Sequence, residues 1–194
     1  MTRPAHASAN DNRSPREDSG KMAAALLEAA QDVLKQGLNL LSDLGDSSYS
    51  RVAGPPFDTS IGQHYRHVLE HFQCFLHGLA KREINYDARK RNRRLESEVK
   101  FASNTTCEIL QALLGYNEQN LAQECKVVTS LGYSSAAPST MDSNAARELA
   151  YCIGHAIHHY ALIRLVGGGI GITVPDEFGF APSTLKHMAA NAAD

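Results

Sequence analysis

The sequence predicts an all-α protein: a four-helix bundle with a disordered N-terminal tail and a short C-terminal extension. Three observations carry that prediction. Apolar residues recur at spacings of three to four through four separate stretches, those stretches are of similar length, and strand-like alternation is nearly absent. Helices of ~20–27 residues are ~30–40 Å long. With one apolar stripe each, they hide those stripes by packing on one another.

Residues 1–20 are rich in Ser, Asn, Arg, Asp and Pro and hold nothing to bury, which predicts the disordered tail. Residues 21–194 then form a single domain. A first helix is expected over 22–44, with Leu26, Leu27, Ala30, Val33, Leu34, Leu38, Leu41 and Leu44 as its stripe and Gly37 as a mild weakness. Residues 45–56 read as a loop. Asp58, Thr59 and Ser60 offer N-caps for a second helix over 61–79, whose apolar side runs from Ile61 through Tyr65, Leu69 and Phe72 to Leu79. The polar segment 83–94 is a connection, and a third helix is expected over 95–121. Residues 126–139 form a mixed loop in which Lys126-Val127-Val128-Thr129 has a brief extended character. Ser143 caps a fourth helix that reaches Val166 and stops at Gly167-Gly168-Gly169. Residues 170–182 are turn-rich, and Ser183 starts a short final helix.

A chain of 194 residues suits one domain with a real core, and 43% hydrophobic residues is ordinary for a globular protein. A formal charge of -2 gives no whole-surface pull towards nucleic acid or anionic membrane. No apolar run approaches the ~20 residues needed to cross a bilayer. The N-terminus lacks the apolar segment of a secretory signal. Cys74, Cys107, Cys125 and Cys152 are far apart and unpaired in spacing, so reduced thiols and a cytoplasmic protein are expected.

Six of the nine histidines fall in two short windows, Gln63-His64-Tyr65-Arg66-His67-Val68-Leu69-Glu70-His71 and His155-Ala156-Ile157-His158-His159. Residues four apart on a helix share a face, so His155 and His159 aim two imidazoles at one point. A lone histidine near a core is ordinarily a hydrogen-bonded core residue; a buried pair on one face needs a common partner. His67 on another helix brings the ligand count to three, with His64 and His71 on the same stripe as substitutes or accessories. His158 is rotated by ~100° from the line of the pair, which suits packing. Three neutral imidazoles leave a divalent charge uncompensated and a coordination position open, the arrangement of catalytic metal centres. Zinc, nickel and iron(II) all accept it. Cys74 and Cys152 read as small buried thiols, while Glu70 and Glu148 are candidates to orient imidazole N–H groups, or solvated carboxylates.

The order of these residues resembles the DinB-like (YfiT-like) superfamily of metal-dependent four-helix bundles. That family has one ligand histidine seven residues after the Ser of an S-I-G helix opening, and an HxxxH pair in the last bundle helix. Here Ser60-Ile61-Gly62 leads to His67, and His155 and His159 form the pair. The resemblance covers roughly residues 22–166 and implies His67, His155 and His159 as metal ligands, His158 as accessory, and a homodimer. Familiar members often follow the pair with Arg-Gly-Gln; this chain has Tyr160-Ala161-Leu162. Members of that superfamily include thiol transferases, but nothing here selects a thiol.

The basic run Arg89-Lys90-Arg91-Asn92-Arg93-Arg94 has no aromatic stacking module or recognition helix beside it, so a solvated loop is preferred over a nucleic-acid surface. A further reading brings Arg89, with Tyr86 and Asp87, over the metal mouth, where Arg89 holds an anionic group and Asp87 acts as base. The sequence thus leads to a divalent-metal-dependent hydrolase or thiol/group transferase acting on an unknown small molecule. Its rivals are a metal-stapled binding or regulatory bundle without turnover, and an interaction bundle whose histidines are merely packed.

Overall fold

A computed structural model describes residues 15–133 and 137–192 of the chain. It is mostly helical, with a small three-stranded sheet. The tail expected over residues 1–20 lies outside the described residues up to residue 14, and from Pro15 the chain is already helical. Helix α1 is Pro15–Ser42, opening on a proline whose fixed φ suits a first turn. Ala30, Val33, Leu34, Leu40 and Leu41 are its buried face. Gly37 proves to be a requirement rather than a weakness: a Cβ there would lie 2.5 Å from Tyr65 Oη and closer still to Tyr160 Oη. Its missing side chain lets two tyrosines fill the space beside α1.

The expected loop over 45–56 contains a short helix, α2 (Asp46–Ser50), whose Tyr49 is buried and donates its hydroxyl to the Leu95 carbonyl at 2.6 Å. Helix α3 (Ile61–Leu79) has the bounds the sequence gives it. Ser60 Oγ accepts from Gln63 N at 3.1 Å, and Gln63 Oε1 accepts from Ser60 N at 3.2 Å. This reciprocal pair satisfies donors that an uncapped helix start leaves open. Strand β1 (Glu83–Asn85) follows.

The third long helix is broken into three. Helix α4 (Arg94–Ser97) ends where Glu98 turns extended, and Asp46 Oδ1 accepts the Val99 N–H at 2.7 Å to start α5 (Val99–Leu114). Gly115 closes α5, and the Asn117 side chain caps α6 (Glu118–Leu121). The apolar period continues across these breaks, but local caps stop the backbone.

The sheet corrects the all-α expectation. Strand β2 (Glu124–Thr129) takes in the Lys126–Thr129 stretch, and it pairs in parallel with β1 (Ile84 opposite Val127). It pairs antiparallel with β3 (Ser139–Asn144), Cys125 opposite Ser143. β3 is polar and mostly exposed, so no alternation marks it. Helix α7 (Ala145–Gly169) is capped by Asn144 rather than Ser143 and runs on through the glycines. Helix α8 (Pro182–Asn191) closes the described chain.

α3 packs on α7 and α5, and α1 packs on α7 and α5, with the core between them. Among the described residues no helix is long and apolar enough to cross a membrane.

Candidate metal centre

α3 and α7 run side by side, and each brings histidines to the seam. His67 of α3 and His155 and His159 of α7 place ligand-capable atoms all within 4.8 Å of one another. Their ring centroids form a near-equilateral triangle: 4.9 Å from His67 to His155, 4.5 Å from His67 to His159, and 4.5 Å from His155 to His159. His155 Nε2 is buried and has no hydrogen-bond partner. A buried unpaired polar atom costs free energy unless something outside the protein completes it.

The rings are in the form a cation needs. Burial, reinforced by neighbouring positive charge, lowers His67 to about 2, His155 to about 4 and His159 to about 3. All three are therefore neutral at pH 7 and keep a lone pair for coordination. The residues fit a divalent ion on donor chemistry and on the orphaned nitrogen alike.

Two more imidazoles flank the triangle. His64 Nδ1 and His159 Nδ1 face each other at 2.9 Å, so one carries a proton and the other accepts it. If His159 donates, its Nε2 keeps the lone pair, and His64 fixes that tautomer. His71 is buried, with its ring centroid 4.0 Å from that of His155. Its Nδ1 lies 2.8 Å from the His67 carbonyl. A carbonyl only accepts, so His71 Nδ1 bears the proton and its Nε2 holds a lone pair. His158, expected to pack, is exposed and edge-on to His159.

The carboxylates do not touch the imidazoles. Glu148 is wholly buried and accepts from Tyr86 Oη at 2.9 Å, Ser143 Oγ at 2.5 Å and Arg147 Nη1 at 2.7 Å. That demand for the Ser143 hydroxyl explains why Asn144 takes over the helix cap. Glu70 accepts from Asn92 N at 2.8 Å and sits between Arg66 and Arg89. Cys152 is a buried thiol pushed up to about 12 by burial, near Tyr86 Oη at 3.7 Å. Cys74 is half-buried, its thiol also raised by burial.

The crossover after β1 reaches this end of the seam. The Tyr86 ring stacks on His71 at 5.3 Å, and its phenol is committed to Glu148. Burial raises that phenol far above its ordinary range. Tyr86 is therefore a wall of the cluster. Asp87 is exposed, and its Oδ2 accepts the Ser130 N–H at 2.7 Å, tying the crossover to the end of β2. Arg89 Nη1 donates to the Tyr86 carbonyl at 2.5 Å. Tyr151, which sequence reasoning passed over, lies 5.5 Å from His155 and 5.0 Å from Tyr86 between ring centroids. Its position four residues before His155 was the available signal.

No family model matches the chain. A stretch of 105 residues, 54% of the chain, is 34% identical to a protein named FK506-binding protein 5 from Rhizopus delemar. The match spans 27% of that relative's length.

Proposed function

We propose that α1, α3, α5 and α7 form a DinB-like four-helix bundle whose α3–α7 seam holds one divalent cation on His67, His155 and His159, and that the protein is a metal-dependent enzyme of the hydrolase or group-transferase type acting on a small molecule. The observation that carries the reading is the triangle of neutral imidazoles, one of which leaves its Nε2, on His155, buried and without a hydrogen-bond partner. A cation bound there would supply Lewis-acid polarisation, and zinc, nickel and iron(II) all suit three imidazoles. His67, His155 and His159 would hold it. Tyr86 and His71, both buried, line the adjoining wall and exclude water from one side.

Turnover is favoured over a merely structural ion by the size of the ligand set. Among the described residues the mutually close atoms come from three residues, and His64, His71 and Cys74 fall outside the set. Three protein ligands leave a position for substrate, whereas structural zinc sites are closed by four. The four cysteines are free thiols, in keeping with a reducing compartment such as the cytoplasm.

The test is elemental analysis of protein purified without a metal-affinity tag. About one divalent ion per chain is expected, falling below about a tenth in His155→Ala while the helical circular-dichroism spectrum persists. Sub-stoichiometric metal that the substitution leaves unchanged would sink the reading.

A further inference from the structure

The carboxylates near the triangle already have partners of their own. Arg66 pairs with Glu96. Glu70 Oε2 lies 3.8 Å from Arg89 Nε and 3.9 Å from Arg66 Nε, so two guanidiniums face two carboxylates. Glu148 is matched by Arg147. Asp87 is exposed and engaged with Ser130 N. The mutually close ligand atoms come from three uncharged imidazoles, so among the described residues no carboxylate belongs to the ligand set and the ion would keep its charge for an anionic ligand.

Arg89 is placed to share that ligand. The residue hangs from the Tyr86 carbonyl, and Tyr86 stacks on His71, which in turn abuts His155. One Nη1 hydrogen is used. Arg89 Nε is buried without a hydrogen-bond partner, and among the described residues nothing accepts from Nη2. The side chain keeps 17% of its surface open. With Nε turned to Glu70, the Nη2 end of the guanidinium is the part left for an oxyanion. Lys90, Arg91 and Arg93 follow on the exposed side of the same crossover and extend the positive field outward.

Resting on the metal reading above, we infer that the ligand of this centre is a small-molecule oxyanion, carrying a carboxylate or phosphate-type group, which Arg89 holds beside the histidine triangle. The Arg89 side chain binds and orients that group; the ion and the guanidinium share its negative charge. The basic run thus has a use that needs no nucleic acid, with Arg89 as its inner member.

The experiment uses the full chain loaded with cobalt(II), whose visible spectrum reports changes at the metal. Acetate and methylphosphonate are titrated separately at constant ionic strength and pH 7, into wild type, Arg89→Gln, Arg89→Lys and Lys90→Gln. At least one anion is expected to shift the wild-type spectrum saturably, and the stronger of the two identifies the group. Arg89→Gln should weaken that binding about ten- to hundredfold with cobalt still at one per chain, as loss of a charge-assisted pair implies. Arg89→Lys should recover part of it, and Lys90→Gln should change it less than about threefold. Anion binding within twofold of wild type in Arg89→Gln overturns the inference. So does an unresponsive wild-type spectrum, or loss of cobalt in both Arg89 variants, which makes the residue a structural strut. Failure of wild type to bind cobalt at all overturns the metal centre instead.

Discussion

Two polar clusters lie along the α3–α7 seam, a buried one made of tyrosines and a half-buried one made of histidines. In the first, Tyr65 and Tyr160 stack with centroids 6.2 Å apart, Tyr65 Oη meets Thr106 Oγ1 at 3.0 Å, and Phe178 covers Tyr160. Gly37 of α1 seals that cluster from the other side. In the second, five imidazoles crowd together, among the described residues none is paired with a carboxylate, and Tyr86 and Tyr151 stand beside them. Each cluster leaves one buried polar atom unpartnered, Tyr160 Oη and His155 Nε2. The surroundings differ. The tyrosine hydroxyl is packed where not even a methyl group fits, so its missing bond is a cost of close packing. The imidazole belongs to a group of three whose ligand-capable atoms lie within 4.8 Å of one another, and a shared cation would satisfy all three at once. An orphaned atom therefore points to a ligand only where the neighbouring groups have the same unmet need.

Four measurements press on that contrast. The largest effect is expected from Gly37→Ala, which forces a methyl group against two tyrosine hydroxyls and should cost about 3 kcal/mol in urea unfolding. The metal bound per folded chain should stay the same. A cost under about 0.5 kcal/mol would mean that the tyrosine cluster has slack and that its orphaned hydroxyl needs another explanation.

At the other cluster, His64→Leu removes the ring that faces His159 Nδ1. Metal affinity measured by competition with a chelator should drop about ten- to a hundredfold, with stoichiometry kept at one. Unaltered affinity would show that His159 is oriented without His64.

Acidification separates the clusters by charge. In the metal-free native protein His71, His155 and His159 titrate at about 4, 4 and 3, against an ordinary value of 6.5. Between about pH 6.5 and pH 4 the unfolded chain therefore binds protons that the native chain refuses, so stability falls as pH falls. The urea midpoint of metal-free protein should be lower at pH 5 than at pH 7, and the drop should shrink in a His155→Ala/His159→Ala double variant. Equal drops in both proteins would place the protons on the native imidazoles.

The smallest effect belongs to Tyr160→Phe, which deletes the unpartnered hydroxyl and keeps the ring. Stability should hold or rise by up to about 1 kcal/mol. A clear loss would reveal a partner for that oxygen.

Much of the local structure was legible in the residues. The capping box at Ser60 and Gln63 and the stripe from Ile61 to Leu79 delimit α3, because caps and periodicity act within one or two turns. The turn-by-turn alignment of His155 with His159 is likewise a property of the helix alone. Where two local signals competed, the chain outside them chose. Ser143 and Asn144 are both good caps, and buried Glu148 drew Ser143 away. The apolar period through residues 95–121 gave no sign that Asp46, from a distant turn, would cap a fresh start at Val99. Strand β3 has no hydrophobic alternation and exists through its ladder with β2.

Alone, the sequence determined the angular position of each histidine around its own helix axis, since 3.6 residues per turn leaves that angle little freedom. Which helices meet, and at what separation, was decided by tertiary packing: the absent side chain of Gly37, the stacked tyrosines and the fit of α3 against α7. The same packing laid Tyr86 on His71 and set Arg89 beside Glu70, from a crossover whose residues carry no periodic signal. Contacts between distant segments depend on the shapes of many side chains together, and no short stretch of sequence contains that information.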